Sequence, residues 1–162
     1  MNYCRLMGEL PLSNNTSTEL GWLTPTGGDP AYDEALDRLL SQWMRNVSGL
    51  PSGMVRPRWQ KNQPPLPPVE TNWCAFGVTG LLIDNNPAFT GQTEEGAQLW
   101  RHEAFECMAS FYGPAGMSYA SRFRDGISVP QNNAELNALG LSLGDYTALT
   151  PFPELINQQW VR

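Results

Sequence analysis

Four prolines within five residues, Pro64, Pro65, Pro67 and Pro68 around Leu66, restrict this chain more than any other feature. Proline fixes φ and donates no backbone hydrogen bond, so the segment is neither helix nor central strand. It reads as a stiff extended connection, close to polyproline II, lying across a surface. Apolar and aromatic runs flank it, residues 54–60 (MVRPRWQ) before and 73–83 (WCAFGVTGLLI) after. In the second run Trp73, Ala75, Gly77, Thr79 and Leu81 alternate with Cys74, Phe76, Val78, Gly80 and Leu82 onto opposite faces of a strand. Two strands joined by a proline strut form the expected centre, with helices before and after to cover them.

The clearest helix precedes the strut. Asp29 is suited to cap it, Pro30 to open it, and Asp33 and Glu34 to face the positive end of its dipole. Tyr32, Leu36, Leu39, Leu40, Trp43, Met44 and Val47 recur at spacings of three and four, which makes one apolar face. Gly49, with Pro51 beyond, ends it. Residues 84–96 (DNNPAFTGQTEEG) read as a long hairpin loop or flap. Residues 99–112 fit both periods, and Phe105, Cys107, Ala109 and Phe111 alternate with Ala104, Glu106, Met108 and Ser110 if they form a strand. A helix is expected over residues 115–124, with Met117, Ala120, Ser121 and Phe123 inward and Gly126 as its stop. A short helix over 134–139 follows Pro130 and ends at Gly140. Near the C-terminus Pro151 and Pro153 forbid a central strand, while residues 155–161 can pair at an edge.

At 162 residues the chain suits one domain. Charged residues make up only 16%, against roughly 25% in an average soluble domain. A surface so poor in charge favours assembly over a free monomer. The net charge of −6 and pI near 4.7 leave no basic patch beyond Arg56, Arg58 and Lys61, so a nucleic-acid gripping surface is not expected. Cys4, Cys74 and Cys107 are widely spaced and odd in number, which points to a reducing compartment. No apolar run approaches the roughly 20 residues of a membrane span. Residues 1–19 hold the loop-like SNNTST and read as an arm or docking extension, with a frayed terminus as the alternative.

Chemistry-bearing residues are sparse. His102 is the only histidine, beside Glu103 and Glu106. On a strand His102 and Glu106 share one face and Glu103 the other, and zinc requires three or four ligands, so neither metal nor cofactor is expected. Cys107 with His102 makes a poor catalytic pair because the two point to opposite faces. Hydrolase, Walker-type and zincin signatures are absent. Arg56 and Arg58 alternate with Val55, Pro57 and Trp59, so both point to one face, either gripping carboxylates of a neighbouring subunit or simply solvated. Among the tryptophans, Trp59 and Trp73 are expected in the core, and Trp22 and Trp160 at an interface. PPLPP resembles a PxxP ligand, but between two strands it serves better as a strut.

Ordered blocks add a resemblance. RPRWQ (56–60), the proline spacer, WCAFG (73–77), FYGP (111–114), RDG (124–126) with VPQN (129–132), and PELINQQW (153–160) resemble the phage neck or tail terminator family. The likeness runs from about Leu20 to Arg162, leaving 1–19 as an extension of a terminator-like domain over 20–162. It decides residues 99–112 in favour of a strand. The family pattern continues past the Trp160 position with a further amphipathic strand; here that strand is either missing or replaced by pairing with a partner.

The resemblance implies an α+β fold, a mixed or antiparallel β-sheet flanked by two or three α-helices with long Pro/Gly-rich loops. It implies a structural virion protein without cofactor, assembled in the host cytoplasm, forming a ring of six copies. That ring would cap the tail tube, meet the head-tail connector or stopper, and let DNA pass through its lumen. Arg56, Arg58, Trp22, Trp160 and His102 are the expected interface residues. Two other readings stay open: a small metal-dependent or Cys/His hydrolase using His102, and a monomeric adaptor using PPLPP.

Overall fold

The computed structural model describes residues 2–7, 31–93, 96–156 and 159–161. Its centre is a pair of long antiparallel strands, β3 (Trp73–Ile83) and β5 (Gln98–Tyr112). Two flanking strands appear in chain order before them: β1 (Asn2–Met7) pairs antiparallel with β5, and β2 (Val55–Pro57) pairs parallel with β3. A fifth strand, β4 (Ala88–Thr90), pairs with the start of β5 and continues the lane of β3, so the sheet is mixed with the order β1-β5-β3-β2. Helices α1 (Asp33–Ser48), α2 (Gly116–Ile127) and α3 (Ala134–Ala138) complete the α+β fold, α3 following a 3₁₀ turn at Pro130–Asn133.

Helix α1 forms as its periodicity requires. Leu36, Trp43 and Met44 are buried, and Leu39, Leu40 and Val47 pack beside them. Gly49 ends the helix in the left-handed conformation (φ 76°), its N–H bonding the Arg45 carbonyl at 2.9 Å. The start differs from expectation: Tyr32 is the N-cap residue, without a side-chain cap, and the expected cap at Asp29 lies outside the described residues.

The core lies between α1, α2 and one sheet face. Cys74 and Phe76 of β3 are fully buried there, opposite Phe111 and Ala109 of β5. Phe123 of α2 meets Trp43 edge-on at 5.4 Å and Phe111 at 5.6 Å, and Trp43 Nε1 donates to the Asn132 carbonyl at 2.9 Å. Burying each such side chain contributes roughly 1.5–3 kcal/mol relative to exposure.

Several local expectations are corrected. Gly126 lies inside α2 and does not stop it, because a Cβ there would stand 2.6 Å from Val47 Cγ1 where α1 and α2 cross. Met117 and Ser121 are exposed, since Phe123 and Ile127, one turn apart, set the inward face. The turn-rich 84–96 segment contains β4, which uses the start of β5 as its template. The C-terminal residues do not join the main sheet: β6 (Glu154–Ile156) and β7 (Gln159–Val161) pair with each other. A bulge at Thr79 breaks the alternation of β3, so beyond it Leu81 is opposite Phe105 and Leu82 opposite Ala104. The strand at Asn2–Met7, too, was not signalled by its sequence.

Candidate interaction surface

The three helices leave the other face of the sheet to short surface segments. Strand β2 ends at Pro57, and the last bond on that side runs from the Arg58 amide to the Phe76 carbonyl at 2.6 Å. The chain then turns back over the sheet. Arg58 reaches across to donate from Nη2 to Ser110 Oγ at 2.7 Å, and the Trp59 ring covers Gly77 so closely that a Cβ would lie 2.5 Å from it. Glycine is required at position 77 for that approach. Trp59 is nevertheless 62% exposed, so the expectation of a core tryptophan fails; it roofs the sheet and does not fill the interior. Trp73 is half-buried and stacks on Tyr112 at 4.7 Å.

The proline strut is pinned from the same side. Arg56 donates from Nε to the Gly53 carbonyl at 2.8 Å and from Nη1 to the Pro65 carbonyl at 3.0 Å. The two arginines thus have different neighbours: Arg56 braces the strut and Arg58 clamps β3 to β5. The Arg58 Nε, shielded from solvent, has no hydrogen-bond partner among the described residues. Leu66 at the strut's apex is 73% exposed.

His102 lies exposed on β5, and Cys107 falls on the opposite face of the same strand. Among the described residues no three His, Cys, Asp or Glu side chains gather as metal ligands. Burial pushes the Cys74 thiol up to about 12, so it is an inert core group. Trp22 lies outside the described residues. Trp160 is in β7, opposite Leu155 in the hairpin register.

A feature that sequence reading missed is the buried carboxylate of Glu103. The Tyr32 hydroxyl donates to Oε2, and the Arg101 guanidinium donates to Oε1 at 2.6 and 3.0 Å. The Glu103 hydrogen bond with Arg101 in turn raises the arginine's pKa. The cluster bolts the start of α1 to β5. Its sequence signal was present, because Glu103 shares the strand face of Phe105 and Phe111, where an acid must be paired.

Large apolar side chains remain uncovered elsewhere: Leu82 (61%), Phe89 (61%), Leu139 (61%) and Phe152 (80%) are exposed with few charges near them in sequence. No described helix is long and apolar enough to cross a membrane.

No curated protein and no solved structure matches the chain. The family described as phage neck terminator protein matches residues 34–162, a span that holds α1 but for its first residue, the other described helices, the strut and every described strand except β1. The chain therefore belongs to the phage neck terminator family, whose members are structural proteins of the bacteriophage neck.

Proposed function

We propose that this protein closes the tail tube as a ring and joins it to the head-tail connector or stopper, DNA passing through the lumen. The observation that carries the reading is the family match over residues 34–162, reinforced by the large apolar side chains left exposed on a sparsely charged chain. Six copies is the ring size implied by the resemblance. In a closed ring each subunit offers two different surfaces, one to each neighbour. The mechanism is surface complementarity: one ring face fits the last ring of the tube, the other fits the connector, and no turnover is involved. With a net charge of −6 the ring wall repels phosphate, so DNA slides and is not held.

Arg56, Arg58, His102, Trp22 and Trp160 are the contact residues in this reading, and residues 1–19 an extension that docks on a neighbouring protein. Arg58 has the best physical support, since its shielded Nε donor gains an acceptor only from outside the described residues. The hydrolase alternative draws no support from geometry, because His102 and Cys107 diverge across the strand. The adaptor alternative has the exposed Leu66 in its favour, but Arg56 holds the strut to its own domain.

Negative-stain imaging of the protein alone, then mixed with its tail tubes, tests the reading. Rings, free or at one tube end, are expected. A protein that never decorates tubes overturns it.

A further inference from the structure

Strand β3 is paired on the β2 side only as far as Phe76. From Val78 to the end of the strand at Ile83, no described strand or loop bonds that edge. The six residues V-T-G-L-L-I contain no charge and no proline, and Leu81, Leu82 and Ile83 are 43%, 61% and 43% exposed. Edges left in that state accept another strand, and proteins that avoid this place lysine or proline there. Beside the edge lies a cavity of about 260 Å³ between the start of α1 and the sheet, bordered by Leu36, Asp37, Arg58, Trp59, Val78 and Leu81. A strand edge flanked by a helix and a pocket has the form of a strand-addition groove.

The same chain carries a matching piece. After Tyr146, whose hydroxyl lies 2.8 Å from Ser128 Oγ and whose ring receives Arg124 at 5.4 Å, the chain leaves α2 without helix or strand until β6. Phe152 on this arm is 80% exposed. The hairpin that follows is a two-stranded sheet of its own, and such a hairpin is marginal in water unless it joins a larger sheet. Charge agrees as well. The groove presents Asp33 and Asp37, and Arg162, directly after Val161 in sequence, is the only cation beyond Arg124. Glu154 on the hairpin supplies an acceptor type that the unpartnered Arg58 Nε lacks.

We infer that the open lane beside residues 78–83 of β3 is filled by the β6–β7 hairpin of a second copy, each subunit giving its hairpin to one neighbour and receiving one from the other. The exchange rests on the ring reading and supplies its head-to-tail contact: donor and acceptor surfaces differ, so repetition closes a ring. Seven residues from Tyr146 to Phe152, at up to about 3.5 Å each, give the arm a reach of roughly 25 Å, enough to pass between adjacent subunits.

Two variants separate giving from receiving. Leu81→Lys places a charge in the groove at an exposed position, so this chain can donate but not accept. A chain shortened to remove residues 154–162 can accept but not donate. Sedimentation velocity on full-length material is expected to show species larger than a dimer. Each variant alone should run as a monomer near 18 kDa, and their mixture should give a species of about twice that mass and nothing larger. Circular dichroism checks that each remains folded; should the shortened chain not fold, Ile156→Pro replaces it. Variants that assemble as the full chain does, a mixture that stays monomeric, or a full chain that is itself monomeric each overturn the exchange. Tube decoration distinguishes the two levels. Variants that still cap tubes remove the exchange alone, whereas a full-length protein that never caps them removes the terminator reading.

Discussion

At the scale of single residues, three contacts determine how much local change the fold tolerates. Glu103 is 1% exposed, and among the described residues its carboxylate is paired with Arg101 and accepts a hydrogen bond from the Tyr32 hydroxyl. Replacing one partner of a buried pair leaves the other charge uncompensated, so Arg101→Ala is expected to cost about 3 kcal/mol in a urea titration. Gly126 presents the reverse of the usual helix rule. Alanine normally stabilises a helix interior by roughly 0.5–1 kcal/mol over glycine, but overpacking costs about 1–3 kcal/mol, and here the second term wins because Val47 Cγ1 stands 2.6 Å from the new Cβ. Gly126→Ala should therefore destabilise, and in a Val47→Ala background it should stabilise; a double-mutant cycle reads the sign change. Cys74 gives the pH dependence. Its folded thiol titrates near 12 against an ordinary 9.0, so between those values the unfolded chain releases a proton that the folded chain keeps. Stability is fully present below pH 9 and falls as pH rises: at pH 10.5 the loss is about 2 kcal/mol, from 1.36 kcal/mol per unit. Unfolding of the wild type and Cys74→Ala at pH 8 and 10.5 should show the wild type losing that much more.

At the scale of elements, protection should follow pairing. The first half of β3 is bonded on both sides, by β2 and β5, and packs under α1 and α2. Amides of Cys74, Phe76 and their neighbours are expected to exchange only through global unfolding. Among the described residues the β6–β7 hairpin has no other strand beside it, and it should exchange near the unprotected rate in dilute protein. On assembly, hydrogen-exchange mass spectrometry should show slowing in the hairpin and in residues 78–83 together. Slowing in one without the other would contradict strand addition between copies. Elements explain the corrections too. A short strand such as β4 has almost no periodic signal over three residues; it exists because β5 extends beyond the end of β3 and offers it an edge.

At the scale of the whole molecule, charge decides how the proposed ring would treat DNA. Duplex DNA is bound chiefly through cations that neutralise phosphates, and this chain has ten Lys and Arg against sixteen Asp and Glu. It is expected not to retard duplex DNA at 0.15 M salt, read by gel shift, even at high protein concentration. Retardation that fades as salt rises would show a basic lumen and contradict the sliding wall.

Local physics was legible in the sequence wherever a residue acts on its neighbours along the chain. The apolar stripe from Leu36 to Val47, the Gly49 stop, the alternation of β3 and the proline strut all follow from backbone geometry and periodicity, whereas β5 fits both periods and is assigned by the family resemblance. The α+β class was implied by the family resemblance, which the structure bears out. What needed the tertiary structure was every decision made by residues far apart in sequence. Trp59 reads as core by composition, yet it roofs the sheet because Gly77, eighteen positions on, leaves room for its ring. Gly126 reads as a helix stop, yet it is a crossing point because Val47 lies against it. Arg56 and Arg58 alternate as one pair, and the fold divides them between a strut and a sheet. Among the described residues the far half of the β3 edge is unpaired because β2 spans only three residues, a consequence visible once the register of the two strands is known. Periodicity records which face a residue takes, whereas pairing records what meets that face, and only three-dimensional packing sets the second.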